Sequence, residues 1–429
     1  MNIMTGKTIL NNKIYILNFF TIVIFFLGFF LNEDSSGSGK FDFFNFLLLS
    51  QSAISNDIVG TILNQNLSGY TPLHFIIYIP IYDLFGAQGL RVTNFILSFL
   101  VIYIFYLTLQ KRFMNIEKKY LLSVSFLPLL DPYFRSAAYW FQNDITALIF
   151  FSLSLYFFND FSLKIKDQLT ISKNEIFKKT SLIFIFSALA FYCKQNYIFF
   201  TIFVFFFNFI KIRASLYYIY SCILNLLLYL PFFIYIYFFK NLTPGAGSES
   251  LIIFSLQNTL IFFSFVSFYF FPLIVFQFNT KLIMLKKNLN LFITSILLFV
   301  IMLFFFNYSS TLGGGVYYKI SKVLFDNYLI FYLMSYIGLV MFLVVVRIDI
   351  LNNLLIFIPL FLFINLVRIP FQEYFAIFFF YIFFIIMNKN MVSNIFINFK
   401  KKYLFLYSYF FLFLLGSILY NFYNLKEFI

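Results

Sequence analysis

Apolar runs of membrane-spanning length recur along the whole 429-residue chain, separated by short polar stretches. A transmembrane helix needs about 17–25 mostly apolar residues, or fewer where protein covers its ends. The pattern therefore predicts an all-α polytopic membrane protein with about thirteen transmembrane helices. We expect one transmembrane domain over residues 1–429 and no soluble domain. The predicted spans are residues 14–31, 91–110, 120–133, 143–159, 180–193, 197–210, 215–239, 251–277, 289–307, 327–346, 353–366, 372–387 and 403–421.

Residues 32–90 are predicted to form one long outer loop that contains two surface helices. Residues 41–52, with the sequence FDFFNFLLLSQS, have the pattern of an amphipathic helix. The apolar run at residues 70–86 is short and carries Pro72, His74 and Asp83, and counting it as a span would place the later basic loops outside. It is therefore predicted to be an interfacial or re-entrant helix, which is possible only where protein covers its backbone.

Composition and charge support a membrane protein and give it an orientation. The chain is 62% hydrophobic and 11% charged, which excludes a soluble domain. A net charge of +14 is also typical of nucleic-acid binding, but here 21 of the 30 Lys and Arg fall on one side of the predicted topology, leaving 30 − 21 = 9 on the other. Because positive loops stay in the cytoplasm, the basic side is predicted to be cytoplasmic, with the N-terminus inside and the C-terminus outside.

A few ionisable residues near the predicted outer ends of spans are candidates for chemistry. Glu33 and Asp34 directly follow the first span, where a carboxylate could act as a general base or a metal ligand, or could simply end the helix. Asp144 opens the fourth span, where an ionisable residue is costly and suggests function, although Asp is also a favoured helix N-cap.

Basic residues are scarce on the predicted outer side. Lys194 lies between two short apolar runs, where its ammonium could bind a lipid phosphate or snorkel to the interface. Arg135 and Arg368 could also bind phosphate, the latter with Glu373 close by in the chain. His74 is the only histidine, and a lone histidine beside a proline is more often a packed or capped residue than a functional one.

The order of these features resembles the GT-C type of membrane glycosyltransferase that uses polyprenyl-phosphate sugars, in particular the protein O-mannosyltransferase and aminoarabinose transferase group. That group has an acidic motif after its first span, here LNEDSSGSGKFDFF, and then a Pro-led run ending in Phe-Gly, here TPLHFIIYIPIYDLFG. A span ending near an Arg and an Asp-containing start to the next follow, here PYFRSAAYWFQNDITALIFF. A Lys after a short apolar arm comes last, here FSALAFYCKQNYIFF. The resemblance covers about residues 14–210.

The resemblance implies an inverting transferase at an outer, periplasmic or luminal face, in a bacterial inner membrane. Asp34, or Glu33 beside it, would be the general base, and Lys194, Arg135 or Arg368 would stabilise the departing lipid phosphate. The partners would be a polyprenyl-phosphate sugar donor, a glycolipid or protein acceptor and membrane lipids, without nucleic acid. No cofactor is certain, and a divalent metal ion is left open.

Three other functions remain open at this point. A transporter or lipid-glycan flippase would place charges deep within several spans, whereas this chain concentrates its acids near helix ends. A polysaccharide polymerase would depend on outer-loop arginines more than on an acid in the first loop. A structural membrane protein without activity is the remaining alternative.

Overall fold

The computed structural model describes residues 6–427 except 65, 66, 68, 69, 167–171, 213–215, 240–253, 275–288, 311, 312 and 368. Every regular element in this part of the chain is helical. In chain order the α-helices are α1 (Gly6–Phe30), α2 (Gly39–Asp42), α3 (Leu48–Asn56), α4 (Ile58–Leu63), α5 (Pro72–Arg112), α6 (Lys118–Phe126), α7 (Pro132–Tyr139), α8 (Asn143–Lys166), α9 (Lys173–Cys193), α10 (Ile198–Ile212), α11 (Leu216–Phe239), α12 (Thr259–Ile274), α13 (Leu289–Phe305), α14 (Gly315–Phe325), α15 (Leu329–Ile348), α16 (Ile350–Leu366), α17 (Ala376–Tyr381) and α18 (Lys389–Glu427). Two π-helical turns, Phe43–Leu47 and Ile382–Ile386, continue α2 and α17.

The apolar helices are those of a multi-pass membrane protein. Among the described residues, nine helices are long and apolar enough to cross a bilayer, or ten if one bent pair counts as a single span. The all-α polytopic class is therefore confirmed, whereas the predicted number of thirteen spans is not. Two of the predicted spans correspond to α13 and α16, apolar helices of 17 residues each.

The predicted span at residues 120–133 is not one helix. α6 ends at Phe126, a 3₁₀ turn follows over Leu127–Leu130, and α7 starts at Pro132. Pro128 has no amide hydrogen for an α-helical bond, and the Asp131 carboxylate accepts hydrogen bonds from the first amides of α7. The prediction of one continuous transmembrane helix over residues 120–133 is therefore wrong, because the apolar pattern does not show these breaks.

The predicted span at residues 372–387 is also broken. A 3₁₀ turn at Gln372–Tyr374 precedes the six-residue α17, and the π turn that follows is bent by 103° from the next helical segment, Lys389–Phe396. Such a bent pair is either an interrupted span or a re-entrant loop.

The two helices predicted in the first outer loop are present. Residues 39–56 are helical throughout α2, the π turn and α3. Residues 72–112 form α5, which is interrupted at Gly86, where φ is 62° and ψ is −156°. At 1.5 Å per residue, its 41 residues would extend about 60 Å, roughly twice the thickness of a bilayer core. The break at Gly86 divides this length into an arm and a second segment of spanning length; the interfacial position of the arm stays a prediction.

The chain divides into two compact units. One comprises residues 15–250 with 413–429 and is called the N-terminal unit here; the other comprises residues 1–14 with 251–412 and is called the C-terminal unit. In the C-terminal unit α12 packs closely against α15, and Gly338 of α15 lies so near the backbone of Phe263 that an added Cβ would be 1.9 Å from its carbonyl oxygen.

The spans of the N-terminal unit run between two polar ends. At one, called the Glu33 end, the residues that follow α1 meet Arg91 of α5, Arg135 of α7 and Trp140, which lies between α7 and α8. At the other, called the Asp160 end, Asp160 near the end of α8 binds Lys111 of α5 and Lys179 of α9. The second segment of α5 and α8 therefore both run from the Glu33 end to the Asp160 end, and α9 runs back. These directions are those of the predicted topology, and the lysines that it predicts to be cytoplasmic lie at one end.

Candidate functional site

The Asp34 side chain organises the loop that follows α1. Its Oδ1 accepts hydrogen bonds from the hydroxyl of Ser136 at 2.7 Å and from three groups within the loop, and its Oδ2 accepts one from the Lys40 amide at 2.9 Å. Gly39 is required where the loop meets α7, because an added Cβ would lie 2.1 Å from the Ser136 hydroxyl oxygen. Asp34 therefore joins the loop, the start of α2 and α7.

Glu33 and Arg135 form a buried ion pair. The Arg135 guanidinium is fully buried and donates to both Glu33 carboxylate oxygens, with Nε–Oε1 at 2.8 Å. Its remaining donors bond the carbonyls of Leu129 and Ile24, so it ties α1 to α7. This geometry favours a structural role for Arg135, and its predicted role in phosphate binding stays a prediction.

Asp144 and Lys194 form a second ion pair at the same end. The Lys194 ammonium lies 2.6 Å and 2.7 Å from the two Asp144 oxygens, and the two side chains keep 15% and 17% of their surface exposed. The adjacent Asn143 amide donates to the Cys193 carbonyl at 2.8 Å, which fixes the end of α9 against the start of α8. The pair is therefore held in place and still open to solvent on one side.

Asp42 is the acidic residue that the sequence analysis missed. It ends α2, is half-buried, and makes no side-chain hydrogen bond to any other described residue. The pKa of its carboxyl is raised from 3.8 to about 6, first by burial and then by the charge of Asp34. Lys194 lowers this pKa in part, and Asp144 contributes a smaller rise. These interactions place Asp42 within electrostatic range of both Asp34 and the Asp144–Lys194 pair. The only signal in the sequence was one acid in the aromatic run FDFF.

Trp140 and Arg91 also make contacts at the Glu33 end. The Trp140 indole donates to the Glu33 carbonyl at 2.8 Å, and the Arg91 guanidinium lies 4.1 Å from the centre of the Trp140 ring. Arg91 also donates to the Asn32 side chain at 2.7 Å and to the Tyr139 carbonyl at 3.0 Å. The Arg that opens the second segment of α5 thus connects α1, α5 and α7 at the Glu33 end.

His74 is a packed core residue. It is fully buried, its Nδ1 lies 2.9 Å from the Thr146 hydroxyl oxygen, and its ring lies 4.4 Å from that of Phe141 and 5.0 Å from that of Tyr78. This environment matches the packed alternative for the only histidine. It links the α5 arm to α8.

Two of the predicted residues lie outside the described part of the N-terminal unit. Arg368 lies outside the described residues. Glu373 belongs to the C-terminal unit, where its charge opposes the lowering of the Lys319 pKa by burial. In the part of the chain that the structure describes, no three His, Cys, Asp or Glu side chains are grouped so that they could hold a metal ion.

The structure therefore brings Glu33, Asp34, Asp144, Lys194 and Arg135 to one end of the N-terminal unit and adds Asp42 to them. Arranged in this way, the carboxylates could accept a proton and the ammonium could stabilise an anion. In comparisons with known proteins, no protein family, no curated protein and no solved structure matches this chain.

Proposed function

We propose that the protein is an integral-membrane glycosyltransferase that moves a sugar from a polyprenyl-phosphate donor to a lipid-linked or protein acceptor at the Glu33 end. One observation supports this most: Asp34, Asp144 and Lys194, from three distant stretches of the chain, lie within electrostatic range of Asp42. A carboxyl whose pKa is raised by burial and by specific charged neighbours is a candidate for a functional site.

The proposed reaction is a single displacement. A carboxylate takes the proton of the acceptor hydroxyl, whose oxygen bonds to the anomeric carbon of the sugar. The bond between that carbon and the phosphate oxygen breaks, and polyprenyl phosphate leaves with the electron pair. The Lys194 ammonium would stabilise the developing negative charge, a type of interaction that is often the largest contribution to catalysis. One displacement inverts the anomeric centre, as in one-step glycoside hydrolysis.

Two carboxylates are candidates for the base. Asp34 is the one implied by the resemblance, but its Oδ1 already accepts four hydrogen bonds. Asp42 is unbonded among the described side chains, and its pKa of about 6 makes it both ionised and appreciably basic near neutral pH. The geometry favours Asp42 as the base and Asp34 as the residue that positions α2.

The test is transfer from a polyprenyl-phosphate sugar by the purified full-length protein in detergent, with Asp34→Asn, Asp42→Asn and Lys194→Ala. Loss of the base should slow transfer by about 10²–10⁴-fold while donor binding persists. Lys194→Ala should weaken donor binding and slow transfer together. If Asp42 is the base, wild-type transfer falls below about pH 6, because the protonated carboxyl accepts no proton.

Asp83→Asn is the matched control, since Asp83 is exposed and makes no side-chain bond to another described residue. Full activity in Asp42→Asn together with loss of activity in Asp34→Asn would show that Asp34 is the base. No transfer by the wild type, together with movement of the sugar-lipid across vesicles, would replace the proposed function with that of a flippase. Products lengthened by repeated units would indicate a polymerase.

A further inference from the structure

A cavity of about 490 Å³ lies between α8 and α9 at the Asp160 end, away from the candidate site. Phe157 of α8 lines one side, and residues from the first three turns of α9 line the other. The α9 residues are Asn174, Glu175, Lys178, Lys179 and Leu182. Its volume is within the range of about 300–1,000 Å³ that is typical of small-ligand sites.

Most charges around this cavity are neutralised within the protein. Glu175 forms an ion pair with Lys164, and Lys179 forms one with Asp160, which also binds Lys111 at 2.6 Å. Lys178 differs from them: it is exposed, and no carboxylate of the described residues lies within ion-pair distance of its ammonium. As far as the structure describes the chain, the cavity therefore presents one positive charge that no carboxylate neutralises.

The same cavity has an apolar wall. Phe157 stacks on Phe186 with ring centres 5.7 Å apart and planes at 5°, and Leu182 lies one turn along α9 from Lys178. The cations and the Asn174 amide lie toward the polar end of the two spans, and the apolar side chains lie toward their middle. This order matches a phospholipid, in which a charged headgroup precedes the acyl chains.

We propose that this cavity binds an anionic phospholipid, with the headgroup phosphate at Lys178 and Asn174 and an acyl chain along Phe157 and Leu182. Charge complementarity selects a net negative headgroup, and the apolar wall selects a lipid over a free phosphate. Basic pockets between membrane helices on the positively charged side are suited to such headgroups. The inference does not depend on the proposed transferase activity.

The test compares lipid binding by the purified full-length protein and its variants, measured by native mass spectrometry with added phosphatidylglycerol or phosphatidylcholine. Wild-type protein should bind phosphatidylglycerol in preference to phosphatidylcholine. Lys178→Ala should weaken phosphatidylglycerol binding by about fivefold, the expected effect of one Lys–headgroup interaction, and Lys178→Glu should weaken it further. Lys118→Ala is the matched control, because Lys118 is an exposed lysine at the start of α6 that does not line the cavity.

Three results would overturn the proposal. Equal binding of the two lipids would remove the charge selection, and equal losses in the Lys178 and Lys118 variants would indicate a diffuse surface charge. Displacement of the lipid by inorganic phosphate at equal concentration would indicate an anion site without an acyl-chain contact. Thermal unfolding of each variant shows whether it is folded, and Lys178→Gln, which removes the charge but keeps a polar side chain, replaces any variant that is not.

Discussion

At the residue scale, the negative charge of Asp42 is unfavourable in the folded protein, and it should make stability depend on pH. Its pKa rises from 3.8 to about 6 on folding, mainly through burial, so the folded protein holds a proton that the unfolded chain has released between these values. Stability is therefore expected to fall as the pH rises from about 4 to about 6 and to stay reduced above it. This rise in pKa corresponds to a loss of at most about 3 kcal/mol in the free energy of unfolding.

Asp42→Asn should remove this cost. We expect the variant to unfold at a higher temperature than the wild type at pH 7, by an amount that shrinks below pH 6 and disappears near pH 4. Thermal unfolding of purified protein across this pH range is the measurement, with Asp83→Asn as the control for the same chemical change at an exposed site. A gain of equal size at pH 4 and pH 7 would show that the carboxyl charge is not its cause.

At the element scale, the contact of α1 with α7 depends on a glycine. An added Cβ at Gly28 would lie 2.4 Å from both the Arg135 Nη2 and the Glu33 Oε2, and 2.7 Å from the Tyr139 hydroxyl oxygen. None of these atoms belongs to a side chain that can move freely, because Arg135 and Tyr139 also bond α1 carbonyls. Only glycine at position 28 leaves room for the buried Glu33–Arg135 ion pair to pack against α1.

Gly28→Ala is therefore expected to destabilise the protein by about 1–3 kcal/mol, the usual effect of overpacking, with a lower unfolding temperature. Gly416→Ala in α18 is the control, because an added Cβ there meets no atom within 4 Å. That variant should be neutral or slightly stabilising, since Ala favours the helix over Gly. An unchanged unfolding temperature in Gly28→Ala would show that α1 can shift away from α7.

At the scale of the whole molecule, the two polar ends of the N-terminal unit predict opposite membrane faces. Lys40 follows the Glu33–Asp34 loop, Lys178 lies at the Asp160 end, and both are exposed. In a background with Cys193→Ala and Cys222→Ser, a cysteine at position 40 should react with an impermeant reagent added to intact cells. One at position 178 should react only after permeabilisation. The reverse pattern would invert the orientation, and labelling of both positions in intact cells would contradict the assignment of the two polar ends to opposite membrane faces.

Much of the architecture could be predicted from the sequence because membrane insertion is a local constraint. A bilayer requires about 20 apolar residues in one helix, so α1, α8, α9 and α11 lie where the apolar runs predicted them. Helix breaks were harder to predict, as the interrupted run at residues 120–133 shows. There the apolar pattern continues, and one proline and one capping aspartate decide where each helix ends.

The sequence by itself determined the membrane class and the choice of Glu33, Asp34, Asp144 and Lys194 as unusual residues. The cost of an ionisable group in an apolar chain makes each such residue conspicuous without any structure. Only the tertiary structure decided their partners: Glu33 meets Arg135, 102 residues away, and Lys194 meets Asp144, 50 residues away. It also decided the raised pKa of Asp42, because the burial and the neighbouring charges that cause it come from separate elements. Sequence spacing encodes the length and amphipathicity of a helix, but not which helices pack side by side.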